Sequence, residues 1–171
     1  VKKNRMQCAL TTSLMGYDFD RVKQVIEKGV DEISVSLWAA SAEVFESLYP
    51  AKKREDFLEL LSRLGRLKKM KKGSLKITAC VMCNRINASQ MIDLYRLGTQ
   101  KLGADGVYFT LIDVVDCVSE GLSLLSAQQP QLIADIEKIE ALAKGEKVRL
   151  DGLEQFKRRI AEADITTGCY D

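Results

Sequence analysis

Strand-like and helix-like stretches take turns along this chain, and that alternation narrows its fold more than any other property. Residues 6–13, 31–38, 75–83 and 107–112 carry the β-branched and alternating patterns of strands, with a strand-to-strand spacing of about 26, 44 and 31 residues. Each gap reads as helix. Asp18 is placed to cap one whose apolar positions Val22, Val25 and Ile26 recur at helical spacing before Gly29. Ser41 starts a short helix through Val44, Phe45 and Leu48, closed by Pro50. A long one follows with the stripe Phe57, Leu58, Leu61, Leu64, Leu67 and Met70. It ends in Lys68, Lys69, Lys71 and Lys72, which complement the helix dipole and read as a solvated face, not a phosphate site. Asn87 with Gln90, and Ser126 with Gln129, have the spacing of capping boxes for two further helices, and a last helix is expected over residues 153–163.

Strands separated by helices specify βαβ units and a parallel sheet with right-handed crossovers. A closed eight-unit barrel needs about 250 residues, and this chain has 171. With 46% hydrophobic and 29% charged residues and no linker-like stretch, residues 1–171 read as one α/β domain. The expected architecture is a parallel partial TIM-like barrel of about four βα units. A doubly wound dinucleotide fold loses its usual support, because neither G-x-G-x-x-G nor G-x-x-x-x-G-K-[ST] occurs.

In "DEISVSLWAAS", Ile33, Val35 and Leu37 share one face of a strand and Ser34, Ser36 and Trp38 the other. In a barrel the apolar set lies under helices and the serines face the lumen. Closed barrels fill that space with branched apolar side chains, so hydroxyls there point to a wetter interior with a polar ligand at the C-terminal strand ends. The plain alternative is that both serines bond to backbone or water.

The chain has no histidine, which removes Ser-His and Cys-His nucleophiles and histidine-ligated zinc. Cys80 and Cys83 form a C-x-x-C, but inside a strand their side chains point to opposite faces, with Cα atoms roughly 10 Å apart. That excludes a chelate or a disulfide. Cys80, Cys83 and Cys8 are therefore expected as structural thiols in a reducing cytoplasm, while Cys117 and Cys169, in expected loops, stay as ligand candidates. A formal net charge of +2 decides nothing about nucleic acid, and no nucleic-acid partner is expected. Nor is a membrane partner, since no apolar run approaches the roughly 20 residues of a span.

Taken together, "DEISVSLWAASAEVFESLYP", "LKITACVMCNRINASQMIDL" and "LGADGVYFTLIDVVDC", in that order and spacing, resemble the later half of a radical SAM core. The resemblance is to the subgroup carrying a C-terminal SPASM-type iron–sulfur extension. "TTS" at Thr11–Ser13 sits where that family often has Thr-Asn-Gly after its third strand. "TTGCYD" resembles the lead-in to the SPASM segment, over residues 165–171. What the resemblance implies is a fold of six βα units, of which four are here. It also implies a [4Fe–4S] cluster and S-adenosylmethionine, from which a 5′-deoxyadenosyl radical is made to abstract hydrogen from an unidentified substrate. On that mapping Ser36 hydrogen-bonds the cofactor, Leu111 packs on its adenine, and Arg54 pairs with its carboxylate. Asn87 aligns with a family Asn after the fifth strand, beside its other reading as a helix N-cap. Cys169 would be a first ligand of an auxiliary cluster.

The departures are equally concrete. No C-x-x-x-C-x-x-C occurs, "TTS" lacks Asn and Gly, and Trp38 replaces a small or acidic residue. The expectation is a truncated segment that is inactive alone, has no catalytic or metal-binding residue of its own, and binds no cluster. Two alternatives stand beside it: a non-catalytic S-adenosylmethionine-binding or interaction module, and a half-barrel lyase using Asp113, Asp116 and a lysine. Open sheet edges would favour self-association.

Overall fold

The computed structural model describes residues 6–16, 18–113 and 120–162. Cys117, Asp116, Cys169 and the 165–171 segment lie outside the described residues. The elements are β1 (Ala9–Thr12), α1 (Phe19–Glu27), β2 (Glu32–Leu37), α2 (Ala42–Leu48), α3 (Arg54–Met70), β3 (Lys76–Cys83), α4 (Met91–Arg96), β4 (Gly106–Leu111), α5 (Gln129–Glu146), β5 (Arg149–Asp151) and α6 (Leu153–Glu162). A 3₁₀ turn, Ala88–Gln90, leads into α4, and a π-helical segment, Leu97–Leu102, continues it.

All strands are parallel, in the order β1-β2-β3-β4-β5. Each crossover thus steps the same way. With one handedness, every connecting helix then falls on one side of the sheet, whereas a doubly wound sheet reverses direction and covers both. The burial pattern agrees: Ile33, Val35, Ile77, Ala79, Val81 and Val107 are fully buried, and Leu37 and Phe109 nearly so. The helices pack on these. Phe156 of α6 sits 5.8 Å from Phe109 between ring centroids. A Cβ added at Gly98 would lie 2.8 Å from Ala79 Cβ, so the π-helical segment reaches β3 only through a glycine.

Among the described residues, no connecting helix falls on the other face, which is open to that extent. Register aligns two rows across it, Thr11–Ser34–Thr78–Gly106–Arg149 and Ser36–Cys80–Tyr108–Asp151. Ser34, Ser36, Cys80, Met82 and Thr110 are half-buried there, and Tyr108 is exposed.

Several expectations need correction. The described residues hold five strands, not four: β5, a single leucine between Arg149 and Asp151, is too short to show alternation. The lysine run is only partly a solvated face, because Lys68 Nζ donates to Gln100 O (2.8 Å) and Lys71 Nζ to Gly103 O (3.1 Å), with Asp105 beside it. The second capping box is shifted by one residue, since Leu125 N donates to Gln128 Oε1 (3.0 Å). The caps by Asp18 and Ser41 are present as expected.

Candidate functional site

In parallel sheets, ligands bind where the strands end, so the site is built from the tips of β1–β4 and the open face below them. Low on that face, polarity is consumed internally. Thr78 Oγ1, only 5% exposed, donates to Glu32 Oε1 (2.7 Å), and Arg149 Nε donates to Asp151 Oδ2 (2.7 Å). Cys80 lies one row higher. Burial pushes its thiol pKa up, a hydrogen bond with Ser34 opposes this, and the Glu32 and Asp151 carboxylates add to the rise. Ser36, Cys80's register partner, is half-buried on the same face. Cys83, on the opposite face of the same strand, is fully buried, and burial raises its thiol to about 12. The C-x-x-C is thus neither chelate nor disulfide, as its strand placement requires.

At the rim, the loop after β3 grips the loop after β2. Asn87, fully buried, donates through Nδ2 to Trp38 O (2.7 Å) and Met82 O (2.9 Å), while its Oδ1 accepts from Asn84 N (2.8 Å). Asn87 therefore does not cap the helix that follows, and its donors are spent within the protein. Asn84, also fully buried, accepts from Ile86 N and Asn87 N through Oδ1, which leaves its Nδ2 without a partner. Gln90 Oε1 accepts from Ala40 N (2.9 Å), and its Nε2 donates to Ser41 Oγ (3.0 Å).

The structure thus brings Asn87 to the end of Ser36's strand, but it separates the other two assigned residues. Leu111 follows Val107 and Phe109 onto the helix-covered face, 7% exposed, with its carbonyl accepting from Arg159 Nη1 (3.2 Å). Thr110 holds the open-face position instead, so Leu111 is not placed to stack on a ligand there. Arg54 opens α3, and its guanidinium lies 4.0 Å from Glu43 Oε1 on α2, both largely exposed, which is a pairing within the helix layer.

The sequence reading passed over Thr110, Asn84 and Gln90 as site residues. The spacing Asn84-x-x-Asn87 at a strand end was the available signal for the asparagines, since such side chains bond nearby backbone. It also missed Leu14 at the tip of β1, buried with a left-handed φ of 57° and its carbonyl held by Arg63 Nη1 (2.7 Å). A branched side chain rarely takes that conformation. A cavity of about 180 Å³ adjoins it, lined by Met15, Lys52, Asp56 and Arg63 among others. A second concavity, about 510 Å³, lies elsewhere, between α5, β5 and α6, lined by Ala143, Leu150 and Leu153 among others. It is shallow and brings together no chemistry that the strand ends share.

Among the described residues no three of His, Cys, Asp and Glu converge to hold a metal. No described helix is long and apolar enough to cross a membrane. Fold and site together define an α/β protein with a five-stranded parallel sheet wound on one side and an open polar face. No protein-family model matches the chain, and no curated protein matches it.

Proposed function

We propose that this chain is the later part of a radical SAM-type partial barrel, and that its open face is the wall against which S-adenosylmethionine lies. The observation that carries this reading is the one-sided winding of the sheet. It leaves a polar face uncovered by helices, with Ser36 half-buried in it near the C-terminal strand ends. A barrel-type sheet needs such an inner face, and a doubly wound sheet has none. The quoted strand-end motifs, in their order, support the same assignment.

Ser36 is the residue we assign to hydrogen-bond the cofactor. Its hydroxyl both donates and accepts, which suits a ribose hydroxyl or a carboxylate. Asn87 acts one step behind it, on the Trp38 carbonyl. Leu111 and Arg54 are not carried into this reading. The iron–sulfur cluster does not fit the described residues, which offer no converging ligand set, and no reaction step is assigned to them. The lyase reading loses ground, because Asp113 faces Arg159 Nη2 (2.6 Å) and not a lysine.

Isothermal titration of the chain with S-adenosylmethionine tests the proposal. Binding with a millimolar or tighter dissociation constant is expected, weakened about tenfold by Ser36→Ala through loss of a buried hydrogen bond. Absence of heat at millimolar ligand, or equal affinity in the variant, would overturn it.

A further inference from the structure

We propose that Asn87 and Gln90 are positioning residues that lock the loop between β2 and α2 onto the tip of β3, so that the Ser36–Trp38 wall is formed before any ligand arrives. The inference rests on reading the open face as a ligand site. Three side-chain bonds of 2.7–3.0 Å join the two loops: Asn87 Nδ2 to Trp38 O, Ala40 N to Gln90 Oε1, and Gln90 Nε2 to Ser41 Oγ. Each links residues 49 or 50 apart in the chain. The lock also reaches both flanking elements. Ser41 Oγ is the N-cap acceptor of α2, and the second Asn87 donor takes Met82 O on β3 itself.

Locking matters because a loop that must be ordered on binding subtracts that cost from affinity, and preordering removes it. The loop between β2 and α2 is four residues long, Trp38 to Ser41. Its Ala40 amide and Trp38 carbonyl take these partners from across the rim. Replacing Asn87 takes the donor from the Trp38 carbonyl, and replacing Gln90 takes the acceptor from the Ala40 amide; leaving such a partly buried backbone group unpaired costs more than the net worth of the bond.

The lock is testable without ligand, because Trp38 is the sole tryptophan and the Ala40 amide has one defined acceptor. In the full chain, Gln90→Leu removes both Gln90 bonds. Gln90→Glu keeps the acceptor for Ala40 N and loses only the donor to Ser41 Oγ, so it should rescue Ala40 protection. Asn87→Asp keeps the acceptor for Asn84 N and loses both donors. Hydrogen exchange at Ala40 should quicken about tenfold or more in Gln90→Leu and stay near wild type in Gln90→Glu. Acrylamide quenching of Trp38 should rise in Asn87→Asp, and S-adenosylmethionine affinity should fall about tenfold in Asn87→Asp and Gln90→Leu with far-ultraviolet dichroism unchanged. Unchanged Ala40 exchange in Gln90→Leu overturns the lock. An opened loop that binds S-adenosylmethionine as tightly as wild type overturns its role. If the wild-type chain binds none, the cofactor assignment fails by itself, and the exchange result alone decides the lock.

Discussion

Consecutive residues on β4 live in different worlds. Phe109 is 1% exposed and tilted against Phe156 of α6, whereas Thr110 is half-buried on the open face and donates to the neighbouring Leu111 O (3.2 Å). The same split runs through Leu37 and Ser36, and through Ala79 and Cys80. One face of the sheet carries the apolar burial that offsets chain entropy. The other carries half-buried polar side chains such as Ser34, Ser36 and Thr110, whose smaller apolar burial adds less.

The sharpest way to break that contrast is to truncate both neighbours on β4. Phe109→Ala should cost about 3–5 kcal/mol, the usual range for a buried aromatic that leaves a cavity. Thr110→Ala should stay within about 0.5 kcal/mol, as substitutions outside cores do. Urea unfolding monitored by circular dichroism measures both. Comparable losses would mean that the open face is as much a core as the helix-covered one.

A smaller effect is expected where the π-helical segment meets β3. Gly98→Ala would set a methyl 2.8 Å from Ala79 Cβ, and overpacking of this kind costs roughly 1–3 kcal/mol. Better helix propensity returns up to about 1 kcal/mol, so a net loss of about 1 kcal/mol is expected. Adding Ala79→Gly removes the opposing methyl, so a double-mutant cycle should show favourable coupling of at least about 0.5 kcal/mol. Strict additivity would mean that the helix simply shifts away.

How much of this was legible beforehand follows the range of the forces involved. The alternation Ile33-Ser34-Val35-Ser36-Leu37 fixes strand phase within five residues, and the phase was correct. One-sided winding was anticipated only as a partial barrel, because strand order depends on contacts no local pattern records. Leu111 is instructive: the family likeness assigned it to pack on adenine at the strand end, whereas its own strand places it with Val107 and Phe109 on the helix-covered face. Asn87 and Gln90 sit at helix-start spacing, yet their partners are Trp38, Ala40 and Ser41, some fifty residues earlier, which no capping rule can supply. β5 is three residues long and too short for periodicity to speak.

The gentlest test of the two faces needs no substitution at all, since β3 carries one thiol on each. Thiolates, not thiols, react with maleimides or disulfide reagents. Cys83 is fully buried with its thiol pushed up to about 12, so at pH 8 only about one molecule in ten thousand would hold the thiolate, behind a layer of helix. Cys80 is half-buried; its thiol is raised too, first by its own burial, but it opens onto the uncovered face. Labelling the native chain at pH 8, with sites assigned by peptide mass spectrometry, should modify Cys80 more slowly than a free peptide thiol and leave Cys83 untouched until denaturant is added. Raising the pH from 7 to 9 should speed Cys80 and still not reveal Cys83, because access as well as ionisation limits it. Early labelling of Cys83 would mean that the helix layer does not seal its face, and protection of Cys80 equal to that of Cys83 would place a second layer over the open one.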